Sequence, residues 1–228
     1  MKFAFLVLCL LLLAFHSQAR AQEVINKLNE KISIAIAHST HPSIKKFTPI
    51  IKRLYEELNF DVRFIPAPNL RALSLLQQGA VFGDVARIKD AIENIPEVML
   101  IEPALAVGQI LVLCNKDKIC EIDQLNRSNI TLLSANGLIE IGKKSLPNAN
   151  IFKHDLTKNQ LTLLRKRRVD YILYIDTKQK ALEYKQEFNV LLLKDAPVHH
   201  VINKKHSKFA PLISAKLKEL LANSKSNN

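Results

Sequence analysis

The chain has 228 residues, 48% of them hydrophobic, with 5 glycines and no low-complexity tract, which excludes a disordered, collagenous or repeat-built protein. Its 33 basic and 21 acidic side chains leave a net charge of +12. That balance suits nucleic acid, an anionic membrane surface or anionic solutes, and equally a solvated surface that is simply basic.

The N-terminus reads as an export signal. Lys2 gives a short positive start, Phe3 to Phe15 is an almost unbroken apolar run, and Ala19-Arg20-Ala21 offers small residues at the two positions a signal peptidase reads. Cleavage is expected before Gln22, so residues 1–21 form the signal. The apolar run is shorter than the roughly 20 residues a bilayer core requires. Cys9 lies inside that run rather than at its end, unlike a lipoprotein cysteine. Further on, Ile101 to Cys114 is broken by Glu102, Pro103, Gly108 and Gln109, so no later membrane span is expected. The mature chain is read as a soluble periplasmic protein. The signal carries Lys2 and Arg20 but no acid, so the mature charge falls from +12 to +10. An exported address argues against nucleic acid as a partner.

Lys31 to Ala37 places Ile32, Ile34 and Ile36 at alternate positions, the period of a strand. A polar loop follows at His38 to Ser43. Thr48-Pro49 is an N-cap and first-turn pair, with Ile50, Ile51, Leu54, Tyr55 and Leu58 at helical spacing behind it. Phe60 to Ile65 is a second strand. Asn69 caps a helix that ends at Gly79, Val81 to Ile88 is a third strand, and Val98 to Ile101 is a fourth. This βαβαβ order predicts a parallel sheet covered by helices.

The second half starts afresh with a strand at Ile130 to Leu133, a turn at Asn136-Gly137 and a short helix from Ile139 to Leu146. Ile151 to Lys153 is extended, Thr157 opens a helix, and Val169 to Ile175 is a strand. The halves echo each other: Leu73-Ser-Leu-Leu leads to Asp84 as Leu161-Thr-Leu-Leu leads to Asp170. Ile110 to Cys114 is the expected crossing strand, with Phe188 to Leu193 and Val198 to Ile202 near the return crossing. Pro211 to Leu221 is a terminal helix, followed by a frayed tail at 223–228. The fold class is therefore α/β, with two Rossmann-like lobes joined by a two-strand hinge: 29–107 plus 197–222 form lobe 1, and 108–196 form lobe 2. Cys114 and Cys120, the cysteines left after cleavage, are expected to pair in an oxidising compartment.

Several of these segments together resemble the periplasmic solute-binding proteins of family 3, the amino-acid-binding-like class of ABC-transporter substrate-binding domains. They are Ile32-Ser-Ile-Ala-Ile-Ala, Pro68-Asn-Leu-Arg71 to Gly79, Gly83-Asp84-Val-Ala-Arg87-Ile88, Leu163 to Asp170 and Val198 to His206. The match runs from Ile32 to about Leu221 and is similar to a divergent branch of that class. The resemblance implies the periplasmic binding protein type 2 architecture. It also implies capture of a small solute in an interlobe cleft for uptake or sensing, by a monomer that serves a membrane permease or sensor. Full members carry a Gly-Phe-Asp-type segment and a Thr-x-x-Arg turn for the amino-acid carboxylate. Ile44 to Leu58 lacks the first and Ile88 to Pro96 the second, so the resemblance does not carry an amino-acid ligand over.

Ligands in open α/β sheets gather at the carboxyl ends of the strands. Those ends supply Ser39, Thr40 and His41, then Pro66 to Asn69, then Arg87, then Ser134 to Gly137, and finally Asp176 and Thr177, with Arg71 on the first turn of its helix as a second basic candidate. Arg87 leads the set, since a guanidinium clamps carboxylate or phosphate in two-pronged fashion; the competing role is a salt bridge to Glu102 or Asp84. Asn136 and Gly137 offer backbone N–H groups at a helix start. His199 and His200 are neighbours on a strand and point to opposite faces, so no metal site is expected. No cofactor is expected either. G-x-S-x-G, H-E-x-x-H, P-loop and G-x-G-x-x-G motifs are absent, which argues against an enzyme. The competing functional class is an envelope protein-interaction module whose cleft takes no small ligand.

Overall fold

The computed structural model describes residues 31–39, 42–154 and 157–226. The predicted signal, its cleavage point, and Thr40 and His41 lie outside the described residues. Strand β1 (Ile32–Ser39) pairs in parallel with β2 (Phe60–Ala67) along its whole length, and with β3 (Gly83–Ile88) at Ile36↔Gly83 and Ala37↔Asp84. The short helix α1 (Pro42–Lys45) and then α2 (Thr48–Glu56) connect β1 to β2, and α3 (Asn69–Gln77) connects β2 to β3. Each helix buries one stripe, Ile51, Leu54 and Tyr55 from α2 and Ala72 and Leu76 from α3. The stripes cover opposite faces of the sheet. One apolar cluster joins Ile36 to the α2 stripe, and another joins Ala37 to the α3 stripe.

The long strands β4 (Val98–Cys114) and β8 (Asn189–Asn203) then run antiparallel to each other, from Val98↔Asn203 to Cys114↔Asn189. Beyond them lie β5 (Thr131–Ser134), β6 (Asn150–Lys153) and β7 (Tyr171–Asp176), with β5 parallel to both of the others. Helices α4 (Ile122–Leu125), α5 (Ile139–Ser145), α6 (Thr157–Arg165) and α7 (Lys178–Glu187) complete this half, and α8 (Ala210–Ser226) closes the chain. The second half has its own two cores, one around Ile110, Leu132, Ile141 and Leu173 and one around Leu111, Leu164, Ile172 and Tyr184. Ile213, Leu217 and Leu220 of α8 return to the core of the first half. The architecture is the expected α/β fold of two lobes joined through a pair of strands.

Five expectations need correction. The sheet is not split by lobe. It holds eight strands in the order β2-β1-β3-β8-β4-β7-β5-β6, continuous because β4 and β8 each belong to both halves. It is also mixed rather than parallel, since β8 is antiparallel to β3 and β4 to β7. The pairs of short strands expected at 98–101 with 110–114, and at 188–193 with 198–202, are single long strands. The apolar pattern of β4 breaks where the β4–β8 ladder is itself interrupted, between Ile101 and Ala106, and Pro103 in that gap has no N–H to contribute. Helix α8 continues through Ser226, past the expected fraying point, and Ser224 Oγ donates to Leu221 O at 2.9 Å. Thr48 is not the cap of α2. Phe47 holds that position, and Thr48 Oγ1 is buried with no hydrogen-bond partner among the described residues.

Cys114 and Cys120 form the expected disulfide, with S–S 2.01 Å and Cα–Cα 5.9 Å. It ties the end of β4 to the loop that leads into α4.

Candidate functional site

The parallel strands of both lobes end at a shared cavity of about 390 Å³. Lobe 1 supplies Ser39 from the end of β1, Asn69 from the first turn of α3 and Arg87 from β3. Lobe 2 supplies Gly137 from the turn after β5, then Asp176 and Thr177 from the end of β7. Ala106, Val107 and Gly108 of β4 form the floor between them. Most of the wall is apolar, with Phe47, Leu70, Leu73 and Ile95 on one side and Leu138, Ile141 and Ile175 on the other.

Arg87 is 7% exposed and its neighbour Asp84 is fully buried. Residues three apart on a regular strand face opposite ways. Here the β3–β8 register shifts by one between Asp84↔Val201 and Arg87↔His199, and this bulge turns both side chains to the same side. Arg87 Nε and Nη2 donate to Asp84 Oδ2 at 2.8 and 2.5 Å. Nη2 also donates to Asn69 O at 3.0 Å, and Nη1 donates to Asn69 Oδ1. Four of the five guanidinium N–H groups are thereby used inside the protein. Burial raises the pKa of the Asp84 carboxyl, and the Arg87 charge opposes that rise. The salt bridge to Asp84 weighed for Arg87 is present. The guanidinium lines the cavity while holding the start of α3 in place.

Asp176 sits at the lobe 2 end. Its Oδ1 accepts the Thr177 N–H and its Oδ2 accepts the Tyr184 O–H from α7, both at 2.8 Å. Thr177 Oγ1 in turn caps α7 by accepting the Lys180 N–H. Burial, then Asp176, pushes the Tyr184 hydroxyl pKa up.

Ser39, Arg87, Gly137 and Asp176 thus meet at one cavity, and Asn136 opens the 3₁₀ turn that carries Gly137. Arg71 and Ser134 are not among the lining residues. Arg71 is exposed on α3, and Ser134 is buried inside lobe 2 with Oγ donating to Ala135 O at 3.0 Å. The cavity lining also includes Lys46 and Lys144, which the sequence reading did not name.

The lobes touch across the cavity. A Cβ added at Gly137 would lie 2.9 Å from Asn69 Nδ2. The Lys194 ammonium on β8 pairs with Asp90 in the 3₁₀ turn after β3. The two adjacent histidines point apart as expected. His199 Nδ1 faces Ile101 O at 3.2 Å. His200 is sealed in the lobe 1 core with Nδ1 donating to Val85 O at 3.3 Å, which leaves Nε2 to accept the Tyr55 hydroxyl at 2.7 Å. Burial lowers the His200 pKa to about 4. Among the described residues no group of three His, Cys, Asp or Glu is placed to hold a metal ion.

No protein-family model matches the chain, and no curated protein sequence matches it. Solved structures do. The chain is similar to the ancestral amino-acid-binding protein AncCDT-1, a precursor of cyclohexadienyl dehydratase, with TM-score 0.68 and 17% identity over 89% of this chain and 94% of that one. It is similar to the substrate-binding protein of an amino acid ABC transporter, with TM-score 0.66 and 15% identity over 86% and 96%. It is also similar to the VFT2 domain of Bordetella pertussis BvgS, with TM-score 0.61 and 11% identity over 90% and 97%. These likenesses establish the fold, that of the type 2 periplasmic binding proteins.

Proposed function

We propose that this chain is an exported binding protein that closes its two lobes on a small anionic or zwitterionic solute, for uptake or sensing. The observation that carries this reading is the interlobe cavity of about 390 Å³ at the carboxyl ends of both sets of parallel strands, a volume within the range of small-ligand sites. The signal-like N-terminus and the Cys114–Cys120 bond support a periplasmic address. The amino-acid-binding proteins of the same fold support solute capture, with a membrane permease or sensor as the downstream partner of a monomer. Lobe boundaries near 107/108 and 196/197 fit this motion, because Val107↔Pro197 and Gly108↔Ala196 face each other across the ladder. Ser39, Gly137 and Asp176 would contact the solute directly, with the Asn136 backbone beside them. Arg87 would contribute its remaining N–H.

The test is a thermal-shift screen of the purified chain against amino acids, organic acids and short peptides. A bound solute raises stability by mass action, about 2.7 kcal/mol at a hundredfold excess over Kd. A broad library that produces no shift overturns the reading. One observation favours the protein-interaction alternative: four of the five N–H groups of the buried guanidinium in the cleft are already taken by Asp84 and Asn69. That alternative predicts no shift with any solute.

A further inference from the structure

We propose that the anionic group of the solute is received by Lys46 and Lys144, one lysine from each lobe at the mouth of the cleft, and that the solute carries an apolar body. The proposal rests on the solute-binding reading and gives it a ligand class. Its basis is how the cations around the cavity are already engaged. Arg87 is neutralised by Asp84, Lys194 by Asp90, and Lys143 by Glu140 at 3.1 Å. Lys46 and Lys144 line the same cavity and meet no carboxylate among the described residues. Both are exposed, which places them at its solvent edge. The Lys46 ammonium lies 5.0 Å from the centre of the Phe47 ring, so it is held along the aromatic wall of the cleft. Lys144 lies in the last turn of α5, one turn beyond Ile141, which faces the cavity too.

Chemistry then sorts the solute from the inside outward. Phe47, Leu70, Leu73, Leu138 and Ile141 offer a carboxylate no compensation for the water it would lose. A charged head stays at the mouth, while an aliphatic or aromatic body fills the interior. Two like charges approaching from opposite lobes oppose closure, and an anion between them reverses the sign of that term. The anion therefore favours the closed arrangement over the open one, which is what a closing receptor requires of its ligand.

The experiment is isothermal titration of the purified chain with hexanoate and 3-phenylpropionate, and with their neutral amides as the matched probes. The carboxylates are expected to bind more tightly than the amides, with a preference that shrinks as salt is raised. Lys46→Gln and Lys144→Gln should each weaken carboxylate binding about 3- to 5-fold, the size expected for an ion pair at an exposed edge. The double variant should bind acid and amide alike, with its solute-free melting temperature unchanged. Equal binding of acid and amide by the unaltered chain overturns the lysine clamp while leaving a solute-binding protein. A preference that survives in the double variant does the same. Silence from both probe sets and from the broad screen overturns the clamp together with the reading beneath it.

Discussion

The two lobes share a pleated scaffold but hold it by different means. Lobe 1 is built around buried polar pairs, Asp84 with Arg87 and Tyr55 with His200, wrapped in edge-to-face rings of Tyr55, Phe60 and Phe82. Lobe 2 has mainly aliphatic cores, strands β5 and β6 of 4 residues each, and the Cys114–Cys120 staple. Lobe 1 thus depends on groups whose charge state matters, while lobe 2 depends on a covalent tie. The cleft wall of lobe 1 is correspondingly pre-set, since Asn69 is fixed by Arg87 and Arg87 by Asp84.

That contrast can be broken in four ways. The largest effect is expected from Arg87→Met, which strands Asp84 as an uncompensated buried carboxyl and should cost about 3–5 kcal/mol in chemical unfolding. Adding Asp84→Leu should recover much of the loss; no recovery would mean that the pair is not what Arg87 stabilises. Next comes pH. Burial depresses the His200 pKa from its ordinary 6.5 to about 4, so the unfolded chain binds the extra proton first. Stability is full above pH 6.5 and falls as the pH drops toward 4, by roughly 3 kcal/mol for a shift of that size. His200→Gln should flatten the curve over that window. Reducing Cys114–Cys120 opens a short loop worth about 2 kcal/mol on the chain-entropy model. Hydrogen exchange after reduction should quicken in lobe 2 and leave lobe 1 protected, and loss in both lobes would refute their independence. The smallest change in stability, within about 0.5 kcal/mol, belongs to Gly137→Ala. Its methyl group meets Asn69, whose side-chain oxygen is held by Arg87, so small-angle scattering should register a more open molecule with little change in unfolding.

Much of the scaffold was legible from local pattern. Ile32, Ile34 and Ile36 alternate as a strand must, and the α2 stripe repeats at helical spacing because one face has to meet the sheet. The carboxyl-end rule found Ser39, Gly137 and Asp176 because it needs only the positions of the strands. The partnership of Asp84 with Arg87 was harder to read. Strand alternation assigns the two to opposite faces, and the bulge that reunites them depends on pairing with β8, from the far end of the chain. The internal echo misleads for a related reason. Asp84 is buried, whereas its counterpart Asp170 has a side chain 48% exposed and pairs with Lys118 on the surface. Lys46 and Lys144 were hidden among 33 basic residues, because only the three-dimensional arrangement reveals which cations have already found an acid.

The β4–β8 ladder also sets the order in which the chain can be completed. Lobe 2 is in effect an insertion, since the strand that covers β3 is supplied only after all of β5, β6 and β7. A chain emerging from its N-terminus would present β1, β2 and β3 with one edge uncovered until Val198 to Ile202 arrived. Such an edge is a template for wrong partners. Lobe 2 needs no segment of β1, β2, β3 or α8 for its own pairings, so it is free to fold first. The last strand and α8 would then act as the closing clasp of lobe 1, with the cleft taking its final shape only at that step.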